Sequence, residues 1–156
     1  MLEKKVENTV EGLEIVVENT IELKKEEFFN MLSSAPEGIN LTIERIGKTF
    51  KSKWKNNKGE YPLMAFIDYS FTYENKDYEI GISYNLGDPV EDNKFLVKSG
   101  SNLFKILEVI ADISKAKEVK VTKEFLEESL TGITFKAKVG AGFNGFIIKP
   151  VELIED

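Results

Sequence analysis

Between Leu63 and Tyr84 apolar and polar residues alternate almost without interruption, and a chain that does this can bury one side only as β-sheet. Leu63, Ala65, Ile67, Tyr69, Phe71 and Tyr73 fall on one face, with Met64, Phe66, Asp68, Ser70 and Thr72 on the other. After the turn Glu74-Asn75-Lys76 the pattern repeats, Tyr78, Ile80, Ile82 and Tyr84 alternating against Asp77, Glu79, Gly81 and Ser83. A period of two places successive side chains on opposite faces of a strand, so each run presents one apolar face to a core. Upstream, Ile39, Leu41 and Ile43 alternate with Asn40, Thr42 and Glu44. Gly47 then interrupts, and alternation resumes in a shifted register at Phe50, Ser52 and Trp54. Glycine at a register shift predicts a bulge in one long, bent strand. Asn56-Asn57-Lys58-Gly59 predicts the turn that joins it to the next strand. The three runs form an antiparallel meander.

The flanking segments carry weaker patterns. In Met1–Ser34, Val6, Val10, Leu13, Val17 and Ile21 recur at helical spacing with a glutamate stripe (Glu3, Glu7, Glu11, Glu14, Glu18, Glu22) on another face. Gly12 and the β-branched run Ile15-Val16-Val17 oppose a helix, and LEIVVEN reads equally as a strand. Thr20 is a candidate cap for a helix through Lys24 to Leu32, ended by Ala35-Pro36-Glu37-Gly38. After the meander, Gly87–Asp92 predicts a polar loop and Phe95–Val97 a short extended piece. Ser99 or Ser101 begins a helix with Leu103, Phe104, Ile106, Leu107, Ile110 and Ile113 inward, and a shorter helix follows Thr122 with Phe125, Leu126 and Leu130. Ile133–Val139 and Phe146–Leu153 close the chain as two strands around a glycine-rich loop.

At 156 residues, with 42% hydrophobic and 31% charged residues, the chain is expected to fold without a cofactor. The expected division is an acidic extension over 1–38, part helical and part extended, and a β-domain over 39–156. No apolar run is long enough to span a bilayer and the N-terminus lacks a secretory h-region, so no membrane is expected and the expected location is the cytoplasm. With neither cysteine nor histidine, thiolate zinc sites, cysteine nucleophiles and the usual general base are excluded. The prior therefore moves from enzyme to binding protein.

The stretch Arg45–Gly59 carries six cations and no carboxylate, so the rest of the chain holds −12 within a total of −6. Lys48, Lys51, Lys53, Lys55 and Lys58 lie among Phe50 and Trp54, the one tryptophan. Ammonium groups neutralise phosphates while flat rings stack on bases, which is how proteins hold single-stranded nucleic acid. A solvated edge strand, where lysines discourage aggregation, is the competing explanation. Alternation predicts Lys51, Lys53 and Lys55 on one side and Phe50 and Trp54 on the other. Should Trp54 lie in the core, stacking falls to Phe66, Tyr61 or Phe143. Asp77 and Glu79, outward on the third strand, would repel phosphate.

A long bent strand, a meander, a helical insert and a closing hairpin match the five-stranded Greek-key barrel called the OB-fold. Its ligands cross strands two and three between the loops joining strands one and two and strands four and five. Here those loops are Lys55–Tyr61 and Gly140–Gly145, the second offering Phe143 with Lys138 and Lys149 beside it. The meander, KSGSNLFKILEVIADI, FLEESLTGITFKAKV and FIIKPVEL together resemble the OB-fold single-stranded DNA-binding proteins of phages from lysine-rich, low-GC hosts, over about residues 39–153. The order of elements predicts a mainly β (α+β) fold with the helical insert between strands three and four. The resemblance implies non-catalytic binding of single-stranded DNA in replication or recombination. RNA, a host or phage replication protein and self-association into a homo-oligomer are further expected partners. A long acidic tail is absent, which puts recruitment through the C-terminus in question. The second reading is a phage-encoded adaptor or inhibitor whose acidic N-terminal surface engages a host protein.

Gly140–Gly145 fits GxGxxG, but a strand rather than a helix follows, so it is expected to be a hairpin loop and not a nucleotide cradle. Asp88, Glu91 and Asp92 lack EF-hand spacing and read as an ordinary polar turn. An enzyme would need a carboxylate and metal site that the sequence does not mark.

Overall fold

The computed structural model describes residues 4–10, 13–18, 20–91, 93–142 and 145–155. It is mainly β, a curled antiparallel sheet forming a half-barrel with few helices. In the N-terminal segment β1 (Lys4–Val10) pairs antiparallel with β2 (Leu13–Glu18), so the β-branched residues prevail over the helical spacing. Gly12, Glu3 and Glu11, which entered the helical reading, lie outside the described residues. β3 (Ile21–Glu22) is followed by α1 (Lys25–Ser33). That helix begins later than a Thr20 cap would place it. The amide of Leu23 is bonded to the carbonyl of Glu79 at 3.0 Å, which holds the chain extended up to that point. Glu27 then accepts from the Lys24 amide at 3.2 Å.

β4 (Ile39–Ile46), β5 (Phe50–Lys51) and β6 (Leu63–Tyr73) realise the bent strand and its partner. β4 and β5 both pair with β6, and the register slips between Ile43 and Arg45 and again between Ile46 and Phe50. One slip thus falls at Gly47, where the bulge was expected, and a second lies upstream between Ile43 and Arg45. β6 runs antiparallel to β7 (Lys76–Glu91) through a two-residue turn in which Glu74 and Asn75 both have positive φ.

β7 is longer than expected, and the predicted Gly87–Asp92 loop is mostly strand. At Gly87 the strand leaves β6 and joins β8 (Lys94–Lys98). Only glycine fits there: φ is +91°, and a Cβ would lie 2.1 Å from the carbonyl oxygen of Leu96. β8 in turn pairs with β9 (Glu118–Thr122), a strand missed in the sequence because its five residues sit between two helical patterns. Asp92 lies outside the described residues. The helix after Ser101 is confined to α2 (Asn102–Leu107), and Ile110 and Ile113 pack partly buried from the turns beyond it. α3 (Lys123–Leu130) is capped by Thr122, whose hydroxyl accepts from the Phe125 amide at 3.0 Å.

β10 (Thr134–Gly142) and β11 (Gly145–Ile154) form the closing hairpin. Gly142 pairs with Gly145, so most of the expected glycine-rich loop belongs to the strands. The main sheet has nine strands among the described residues rather than five. Its order is β11-β10-β4-β6-β7-β8-β9, with β3 parallel to β7 and β5 on β6.

The alternating apolar residues line the concave side: Leu41, Ile43, Ala65, Ile67, Tyr69, Ile80, Tyr84, Leu86, Phe135 and Ala137 are buried. α1 packs against β7 and β10, and α2 against β7, β8 and β11. Phe28, Phe29 and Leu32 of α1 belong to this same core, so the helix of the expected 1–38 extension is packed with the strands of 39–156. The hydroxyls of Tyr69 and Tyr84 meet at 2.7 Å within it. No helix among the described residues is long and apolar enough to cross a membrane.

Candidate nucleic-acid interface

With its apolar face turned inward, the sheet presents its other face to solvent, and the basic stretch lies at one end of that face. β5 is only two residues long and pairs on one side alone, which leaves Phe50 and Lys51 at the surface. From Ser52 the chain leaves the sheet in a loop closed by the Ser52 amide on the Pro62 carbonyl at 2.9 Å. Asn56 organises its tip. The side-chain oxygen accepts from the amides of Lys58 (2.9 Å) and Glu60 (3.0 Å), and its backbone amide donates to the Glu60 carbonyl at 2.7 Å. Because the backbone groups are satisfied from within, the side chains are left pointing outward.

The alternation had left open whether Phe50 and Trp54 are core or platform. Both lie at the surface, Trp54 80% exposed. Phe50 stacks on Phe66, ring centroids 5.3 Å apart at 21°, and Phe66 remains 45% exposed. The rings meet because Phe50 pairs with Met64, and Phe66 is the next residue of β6 on the same outward face. Tyr61 is exposed beside Lys55, whose ammonium lies 5.6 Å from the ring centroid. Phe50, Trp54, Tyr61 and Phe66 therefore gather on β5, its loop and β6. Of the six cations of the stretch, only Arg45 (to Asp68, 2.7 Å) and Lys58 (to Asp88, 3.8 Å) have a carboxylate partner among the described residues. Lys48, Lys51, Lys53 and Lys55 have none among the described residues.

Chemistry changes along the same outward face. Past Arg45 the hydroxyls of Thr42 and Thr134 bond at 2.7 Å, Ser70 donates to Glu44 at 2.5 Å, and Thr72 donates to Asp77 at 2.7 Å. With Glu79 these residues line an open polar groove of about 580 Å³. Glu44, Asp77 and Glu79 place carboxylates along this groove, whereas the aromatic rings and lysines lie at the other end of the face.

Lys138 and Lys149 are exposed and pair directly across the β10–β11 hairpin. β10 runs past Ile39, the first residue of β4, whereas β5 and its loop follow Ile46, the last. The two basic groups thus leave β4 from opposite ends, and the strand pairing does not bring them together. Phe143 lies outside the described residues. Phe146, near the hairpin turn, is exposed and sits 6.2 Å from Phe29 of α1. Asp88 bridges Lys58 and Lys98 at 3.8 and 3.7 Å, which ties the basic loop to β7 and β8. Among the described residues no group of three or more carboxylates is placed to hold a metal ion.

No known family, curated protein or solved structure matches this chain. The functional reading therefore rests on the geometry. Two residues of this surface stand outside the sequence-derived candidates: Phe50 and Arg45. Phe50 could not be separated from core by period alone, and Tyr61 entered only as an alternative should Trp54 lie in the core. Arg45 carried a visible signal, for it is the only arginine among 21 basic residues.

Proposed function

We propose that this protein binds single-stranded DNA without catalysis, through the outward face of β5, the Ser52–Pro62 loop and β6. One observation carries the reading: four aromatic rings at the surface lie among lysines that no described carboxylate neutralises. Lys48, Lys51, Lys53 and Lys55 supply phosphate neutralisation, while Trp54, Tyr61 and the Phe50–Phe66 pair supply flat surfaces for unpaired bases. Buried base pairs offer no faces to such rings, so single strands are preferred over duplex.

β4, β6, β7, β10 and β11 stand for the five strands of an OB-like barrel, supported by the pairing of β4 with both β6 and β10 and of β10 with β11. Among the described residues β7 and β11 are not paired, and α2 packs against both. On this assignment the ligand surface falls on strands two and three and the loop between strands one and two.

The test is a titration of the full chain with oligo-dT at low salt, read by Trp54 fluorescence, with duplex DNA as competitor. Quenching that saturates, reverses with salt and resists duplex competition supports the reading. No response and no binding would sink it.

A further inference from the structure

We infer, on the footing of the proposed DNA-binding surface, that Arg45 is its oriented anion-binding group and that Asp68 and Gly81 are the residues that position it. Arg45 is the only arginine of the chain, set among lysines. The two cations differ in kind: lysine is a point charge on a flexible stem, whereas the guanidinium is a planar fork that engages two oxygens of one phosphodiester.

Three features of the fold fix that fork. The first is the register slip between Ile43 and Arg45. Ile43 points into the core, so uninterrupted alternation would send Arg45 inward too. The extra residue turns both Glu44 and Arg45 outward, opposite Asp68 of β6. The second is Asp68, whose Oδ2 accepts from Arg45 Nε at 2.7 Å. Binding through Nε leaves the N–H groups of both terminal nitrogens for a ligand, and the Arg45 side chain remains 61% exposed. The third is Gly81, the partner of Asp68 on β7. A Cβ at position 81 would stand 2.8 Å from Asp68 Oδ1 and 3.5 Å from Cδ1 of Phe66. Glycine in the middle of this strand is thus what lets the carboxylate lie across β7, with the edge of the Phe66 ring beside it. The guanidinium is held next to the aromatic surface, one residue of β6 removed from Ile67 and two from Phe66.

The arrangement yields a result that charge counting does not. On net charge alone, removing Asp68 makes the surface more positive and should strengthen binding of a phosphate chain. If Asp68 orients Arg45, removing it weakens binding instead.

The experiment uses the full chain and oligo-dT at fixed low salt, comparing Asp68→Ala, Arg45→Lys and Gly81→Ala with wild type, with thermal melts to verify folding. Arg45→Lys keeps the charge and is expected to weaken binding about tenfold through loss of a charge-assisted hydrogen bond. Asp68→Ala and Gly81→Ala are expected to weaken it as well. Because there is one arginine, its Nε–H gives a single resonance in a nitrogen–proton correlation spectrum, identified by its loss in Arg45→Lys. It should shift on addition of oligo-dT and should broaden or move in Asp68→Ala. Equal or tighter binding by Asp68→Ala, or an Arg45 resonance unmoved by bound oligo-dT, overturns the inference and leaves the DNA-binding reading standing. If wild type binds no oligo-dT, both fall. Should Gly81→Ala fail to fold, the other two variants decide.

Discussion

Replacing Lys51, Lys53 and Lys55 together by alanine separates phosphate binding from folding at this surface. All three are exposed, and none has a carboxylate partner among the described residues, so the triple variant should keep its stability to within about 0.5 kcal/mol per site. Each phosphate contact on a single strand contributes about 0.7 to the slope of log affinity against log salt, so losing three should flatten the slope by about 2. Between roughly 50 and 200 mM salt, a fourfold change, wild type should therefore lose roughly twentyfold more affinity than the variant. The assay is fluorescence anisotropy with labelled oligo-dT over a salt series, beside a Lys138→Ala, Lys149→Ala double variant. The double variant should keep the wild-type slope, because its lysines leave β4 from the other end. A triple variant whose salt line runs parallel to wild type would refute the assignment, and a flattened double variant would move the interface to the closing hairpin.

Phe66→Ala should weaken oligo-dT binding by about 1–3 kcal/mol, the worth of one stacked base, and Trp54→Ala should abolish the fluorescence response; an affinity unchanged in both, by anisotropy, removes the stacking role. Gly87→Ala is expected to destabilise the fold by about 3 kcal/mol or more in urea unfolding, since it combines a φ of +91° with a Cβ 2.1 Å from the Leu96 carbonyl oxygen. Gly59→Ala, with φ +77° and nothing within 4 Å of its Cβ, should cost only about 1–2 kcal/mol. Burial raises the ionisation of the Tyr69 hydroxyl well above the ordinary tyrosine value, as does the nearby Tyr84 hydroxyl, itself raised by burial. The folded state thus holds protons that the unfolded chain releases above about pH 10, and stability should fall as pH rises through that value. Tyr69→Phe should cost about 1–3 kcal/mol at neutral pH by orphaning the Tyr84 hydroxyl, and Tyr69→Phe with Tyr84→Phe should reduce the alkaline loss; chemical unfolding between neutral and alkaline pH measures both.

Much of the sheet was legible because burial of one face imposes a period of two. Ala65, Ile67, Tyr69 and Phe71 lie inward as the alternation required, and β6 spans the predicted run. The helix starts were legible to within Ser99 or Ser101 and after Thr122, and the structure puts the capping hydroxyls at Ser101 and Thr122, each reaching an amide three residues on. β9 and the far half of β7 were not, because their partners lie elsewhere in the chain and a polar residue such as Asp88 reads as loop until Leu96 is seen opposite it.

The basic stretch divides along the same line. Its composition was complete in the sequence: six cations, two rings and no carboxylate between Arg45 and Gly59. Local signals also placed its turn at Asn56–Gly59. Which rings reach solvent was decided only by tertiary structure, since a period of two says that faces differ but not which face is covered. β5 pairs on one side alone and the loop after it leaves the sheet, so Phe50 and Trp54 are both at the surface. Arg45 shows the limit most clearly. Alternation alone points it into the core, and only a slipped register, a carboxylate on β6 and a glycine on β7 turn it outward and hold it, three residues from separate strands that no local pattern connects.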